Sequence, residues 1–255
     1  MAIRKHLPNA LTCLNLLCGC VALNLILSSN PAQTSVAVAG FAPMFSAATW
    51  QPLVHAAYFI GLAAVADFFD GFVARALHVS SPIGKDLDSL ADMVSFGVVP
   101  GAVLFKLLQM VLPMHDLPAG LAYLAFTVSI FSALRLAIFN NDTRQTNSFI
   151  GLPTPANTLL VVSLPLILLN DRFGLQTYLL NPWVLLGLTA LLSYLLVAEI
   201  PLFALKFKNF SWQDNSLRFI FVLLSVGLVL ALGATAVPLI VLLYVLLSVL
   251  KPKYV

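Results

Sequence analysis

Long apolar runs alternate along the chain with short polar breaks, and the runs are too long for the buried helices of a water-soluble core. A membrane-crossing helix needs about 20 largely apolar residues. Sliding that requirement along the chain predicts eight spans, at 9–28, 53–77, 88–112, 117–139, 154–170, 182–205, 216–232 and 235–250. Residues 219–250 carry no charge, so hydropathy alone allows either one very long helix or a hairpin broken between Gly233 and Pro238. The first span has one polar edge, with Asn9, Thr12 and Asn15 at i, i+3 and i+6.

Composition narrows the class. Of 255 residues, 60% are hydrophobic and 9% charged, with a mean hydropathy of +0.99, whereas soluble domains carry about 25% charged residues. The expected fold is therefore an all-α integral membrane protein, a polytopic helical bundle. Basic residues collect at the cytoplasmic ends of spans. With Arg4 and Lys5 inside, nine of the 13 basic residues fall inside ahead of the C-terminal tail, Arg172 falls outside and Lys106 lies within a span. A C-terminal hairpin keeps Lys251 and Lys253 inside as well, making eleven inside against one outside, which favours eight spans over seven. The start of the chain resembles an export signal, but its apolar run is nearly span-length and no small-residue cleavage site precedes further spans; it reads as a retained first helix. Cys13, Cys18 and Cys20 lack metal or disulfide spacing and read as small apolar packing residues. The four histidines share no ligand spacing, and Glu199 is expected to pair with a polar neighbour inside the sixth span.

Five of the ten acids, Asp67, Asp70, Asp86, Asp88 and Asp92, lie within 26 residues. An ionisable group at bilayer depth costs at least about 2.5–3.5 kcal/mol on insertion scales, so such a cluster points to function. On a helix, Asp67, Asp70, Gly71, Ala74 and Arg75 form one stripe. After a loop containing Gly84, Asp88 and Asp92 share a face of the next helix. Two helices joined by a short loop are neighbours, so four carboxylates converge at one membrane boundary. Their repulsion calls for divalent cations, and all-oxygen ligation selects Mg²⁺, Mn²⁺ or Ca²⁺ over zinc. Two such ions a few Å apart suit a pyrophosphate. Gly71 and Ala74 would let a base or phosphate approach the helix backbone, and Arg75 would contact phosphate. The polar edge of Asn9 and Thr12 is expected to line the same cavity.

The pattern D-x2-D-G-x2-A-R-x8-G-x3-D-x3-D, through Asp67, Asp70, Gly71, Ala74, Arg75, Gly84, Asp88 and Asp92, resembles the signature of the CDP-alcohol phosphotransferases. Three further stretches are similar to the serine-using branch of that family: LPNALTCLN at 7–15, DSLADMVSFGVVP at 88–100, and ALRLAIFN at 133–140 followed by FIGLPTP at 149–155. Ile138 stands where that branch more often carries arginine. The resemblance covers residues 7–157 and implies an enzyme that replaces CMP on a CDP-linked lipid with an alcohol. It implies Asp67, Asp70, Asp88 and Asp92 as ligands of two Mg²⁺ or Mn²⁺ ions, with Asp92 also as the base that activates the acceptor. It further implies CDP-diacylglycerol bound by Asn9, Thr12, Gly71, Ala74, Arg75 and Gly84, L-serine as acceptor, and a homodimer. Ser95, Arg135 and Asn140 are candidate contacts to serine or phosphate, and Asp86 falls outside the pattern.

On this reading residues 1–8 form a cytoplasmic interfacial segment, 9–205 a six-helix catalytic unit, and 206–255 a transmembrane hairpin with a basic tail. The active site faces the cytoplasm of a bacterial or archaeal inner or plasma membrane, and nucleic acid is not among the expected partners. The same chemistry with glycerol phosphate, inositol phosphate or choline is the nearest alternative. A cation transporter is the alternative of a different class, and it would spread its acids across the bilayer depth.

Overall fold

The computed structural model describes residues 2–29, 35–36, 44–45, 47–79, 81–142, 148–203 and 212–250. They form an all-α bundle: α1 (Ala2–Ser28), α2 (Ala47–Ala76), α3 (Pro82–Asp92), α4 (Val99–Val111), α5 (Thr127–Asn141), α6 (Thr154–Asn170), α7 (Gln176–Leu179), α8 (Pro182–Val197), α9 (Trp212–Leu232) and α10 (Ala236–Leu250). Five stretches are long and apolar enough to cross a membrane, namely His6–Ser28, Ala47–Ala76, Pro82–His115, Ala119–Asn141 and Asn215–Leu250, and α6 and α8 are shorter apolar helices. The chain is a polytopic membrane protein. Two antiparallel ribbons complete it, β1 (Ser35–Val36) with β2 (Met44–Phe45), and β3 (Ser148–Ile150) with β4 (Pro201–Phe203).

Local chemistry moves several boundaries from their expected places. Residues 2–8 are already helical and run into the first span through Pro8. The third span begins at Pro82 and not at 88. Ser81 caps it by accepting the Gly84 N–H at 3.0 Å, and Pro82 occupies the first turn, where a missing N–H costs nothing. The sixth span ends at Val197, short of 205. Ala198 is already extended, and Pro201 lacks the N–H needed to continue a helix. The chain instead pairs β4 with β3, which leaves Glu199 exposed, so the expected buried pairing of that acid does not occur.

The C-terminal apolar stretch is a hairpin. A straight helix would place Phe221 and Tyr244 about 34 Å apart at 1.5 Å per residue, yet their ring centroids lie 5.8 Å apart, both packed on Phe203. The reversal occurs at Gly233, whose φ is +59°.

The core centres on α4, nearly all of whose side chains are buried. Between α3 and α4 the helix widens into a π turn, Met93–Val98, with Val99 N–H bonded to the Val94 carbonyl. Hydroxyls from neighbouring helices bond carbonyls in this turn: Ser129 Oγ donates to Gly97 O at 2.9 Å and Thr158 Oγ1 to Phe96 O at 2.8 Å. Ser95 Oγ in turn donates to Asn15 O on α1 at 3.0 Å. Helix association in lipid relies on such close approach and polar contacts. A Cβ on Gly19 would sit 2.3 Å from Ser95 Oγ, so α1 rides directly on the π turn. The π turn follows Asp92 immediately and thereby ties the last acid to α1, α5 and α6.

Candidate active site

The acids gather where the C-terminal half of α2 meets the first half of α1 and the last two turns of α3. Asp67, Asp70 and Asp88 each present a carboxylate oxygen within 4.8 Å of the others. Two unit charges at such a separation repel by about 3–4 kcal/mol at an effective dielectric of about 20. The Asp92 carboxyl meets that of Asp67 and accepts from Asn15 Nδ2 at 3.1 Å. Thr12 Oγ1 donates to Asp70 Oδ2 at 2.6 Å. The polar edge of α1 thus fixes the orientation of two of the four acids. Arg75 lies over Gly71, with its guanidinium 3.3 Å from where a Cβ would stand, and its charge acts on Asp70. Oxygen donors alone, closely set and mutually repelling, match a hard divalent cation.

Two cavities flank this cluster. One, of about 250 Å³, is lined by Asn9, Thr12, Gly71, Ala74, Gly84 and Lys85. The other, of about 430 Å³, is lined by Asp67, Asp92, Arg75, Arg135, Asn140, Phe149 and Pro153–Pro155. Asp70, Gly71 and Asp88 belong to both, so these two acids and the glycine beside them form the common wall. Gly71 keeps that wall thin, because only its backbone stands beside the acids.

In the larger cavity, Arg135 is buried on α5 with its guanidinium 4.7 Å from the Phe139 ring centroid, and its Nε has no hydrogen-bond partner among the described residues. Asn140 Nδ2 donates to Ser89 Oγ at 2.8 Å, while Lys85 Nζ donates to the Asn140 carbonyl at 3.2 Å, clamping α5 to α3. Ser95 behaves differently from expectation. It is fully buried, lines neither cavity, and commits its hydroxyl to α1, which joins the two helices.

Sequence reading missed Asn157 and Ser132, both fully buried, with the amide atoms of one and the hydroxyl of the other unpaired among the described residues. Each lies one turn deeper than a cavity residue, Asn157 below Thr154 on α6 and Ser132 below Arg135 on α5. Helical spacing from those cavity residues was the signal that could have found them.

A family model described as CDP-alcohol phosphatidyltransferase matches residues 5–197, which includes every acid of the cluster. The chain belongs to the CDP-alcohol phosphatidyltransferases. It is therefore a transferase in class, and α1 to α8 are its family core. Among curated relatives, the CDP-diacylglycerol-serine O-phosphatidyltransferase of Bacillus subtilis (strain 168) is 31% identical over 207 residues, covering 81% of this chain and 92% of the relative. The enzyme of the same name from Helicobacter pylori (strain J99) is 33% identical over 216 residues, covering 83% and 85%. That from Mycobacterium leprae is 35% identical over 190 residues, covering 71% and 59%. In this CDP-alcohol phosphatidyltransferase, β4 and the α9–α10 hairpin lie outside the matched span.

Proposed function

We propose that this CDP-alcohol phosphatidyltransferase moves the phosphatidyl group of CDP-diacylglycerol to the hydroxyl of L-serine, giving phosphatidylserine and CMP. The observation that carries the reading is the acid wall shared by two cavities, since a pyrophosphate lying across that wall has its CMP half on one side and its lipid half on the other. The serine relatives supply the acceptor. Two Mg²⁺ or Mn²⁺ ions held by Asp67, Asp70, Asp88 and Asp92 would neutralise the phosphate oxygens and the departing CMP.

The chain's own residues do the rest. Asn9, Thr12, Ala74 and Gly84 line the nucleotide side, and Gly71 admits the diphosphate close to the helix backbone. Arg75 offers a charge-assisted contact to phosphate. On the acceptor side, the Arg135 guanidinium pairs with the serine carboxylate, and Asn140 holds the cavity rim. Asp92, held by Asn15, takes the serine hydroxyl proton. The serine oxygen attacks the lipid-side phosphorus, and the bond from that phosphorus to the bridging oxygen breaks, CMP leaving with the electron pair.

The charge pattern supports a cytoplasmic site in an inner or plasma membrane, with an interfacial start, a catalytic unit reaching β4 and an appended hairpin. The family resemblance supports a homodimer. The test is an acceptor panel with purified protein, CDP-diacylglycerol and labelled serine, glycerol phosphate, inositol phosphate or choline. Serine transfer at least tenfold above the others is expected; preferential transfer to a phosphorylated acceptor or to choline overturns the choice.

A further inference from the structure

A third cavity, about 430 Å³, opens between α6 and the C-terminal hairpin. Ala156 and Leu159 form its α6 wall, Val237 and Ile240 its α10 wall, and Phe149 and Pro153 its inner end. Its polar side chain is that of Tyr244, whose hydroxyl donates to the Phe203 carbonyl at 2.8 Å. Among the described residues the lining therefore offers hydrocarbon contact and no free hydrogen-bonding side chain.

Phe149 and Pro153 also line the larger catalytic cavity, so the apolar groove abuts the space beside the acids at these two side chains. A second helix is a poor occupant, because a helix about 10 Å across fills such a volume in roughly a single turn. A hydrocarbon chain one methylene wide threads it. The outer wall, α10, lies beyond residues 5–197 and so is an addition to the family core.

We propose that this groove receives one acyl chain of the donor lipid and of the phosphatidyl product, with Phe149 and Pro153 as the threshold between headgroup chemistry and hydrocarbon. The proposal rests on the donor being CDP-diacylglycerol, and it gives the hairpin a task in selecting the lipid. Chain length is then read by α10, at a distance from the acids.

The test fills the groove in the full chain with Ile240→Trp and, as a milder change, Val237→Phe. Each is assayed for serine transfer from CDP-dioleoylglycerol and from CDP-dihexanoylglycerol. KM for the long-chain donor is expected to rise about tenfold, equivalent to excluding about two methylenes, with the short-chain KM within twofold. Equal losses on both donors, or no change on either, overturn the proposal. In parallel, CDP-diacylglycerol bearing a photoactivatable diazirine at the acyl terminus is cross-linked to the unsubstituted protein. Labelling within α10 supports the groove even if serine transfer fails, which would sink only the acceptor assignment. Normal serine transfer with labelling confined to other helices sinks the groove and leaves the acceptor assignment intact.

Discussion

Gly151 gives a prediction whose size follows from the backbone alone. It joins β3 to the loop that carries Pro153 and Thr154 into the catalytic cavity, and its N–H donates to the Ile200 carbonyl at 3.0 Å. Its φ is +77°, and a Cβ would stand 2.6 Å from the Leu196 carbonyl oxygen and 3.1 Å from that of Ala198. Neither oxygen belongs to a side chain that could rotate away. A left-handed conformation costs an alanine roughly 1–2 kcal/mol, and forcing an extra carbon into a packed site adds about 1–3 kcal/mol. Gly151→Ala should therefore destabilise by about 2–5 kcal/mol, a fall in Tm on the order of 10 °C. Gly187→Ala is the control. That position lies within α8 with nothing within 4 Å of an added Cβ, and replacing a mid-helix glycine by alanine gains about 0.5–1 kcal/mol. Thermal unfolding in detergent, followed by tryptophan fluorescence, reads both. A Gly151→Ala protein with the Tm of the parent, or a Gly187→Ala protein that falls as far, would refute the reasoning.

Two further substitutions probe the site. Thr12→Val keeps the shape but removes the donor to Asp70, a bond to a charged group worth about 1.5–3 kcal/mol; the metal concentration for half-maximal transfer should rise about tenfold or more, and an unchanged value would mean Thr12 does not orient the acid. Arg135→Lys replaces a planar fork with a point charge, so KM for serine should rise about tenfold while KM for CDP-diacylglycerol stays within about twofold, measured by steady-state kinetics at saturating co-substrate.

The acid cluster was legible in sequence because its spacing obeys the helical period. Positions 67, 70, 71, 74 and 75 can only share one face, and the short link to Asp88 leaves the two helices little choice of neighbour. Asn9 and Thr12 were legible for the same reason, as a polar edge on an apolar span. The π turn at Met93–Val98 was not, because its hydroxyl partners, Ser129 and Thr158, lie 32 and 62 residues from the carbonyls they bond. Ser95 was misread on that account: its place one turn beyond Asp92 suggested an acceptor contact, but the widened helix turns it into α1. The end of α8 at Val197 depends on β3 pairing with β4, a contact across about 50 residues to which hydropathy is blind. Asn157 and Ser132 were hidden because single polar residues within apolar spans look alike until burial distinguishes them.

The central claim is that the acid wall drives cation-dependent transfer from CDP-diacylglycerol to serine. Its most direct measurement is the product balance of purified protein given CDP-diacylglycerol, labelled serine and Mn²⁺ or Mg²⁺. One CMP should appear for each labelled phosphatidylserine, with both products lost on chelation, restored by the cation, and absent from Asp88→Asn. CMP release without label in lipid, or full transfer by Asp88→Asn, would contradict the account.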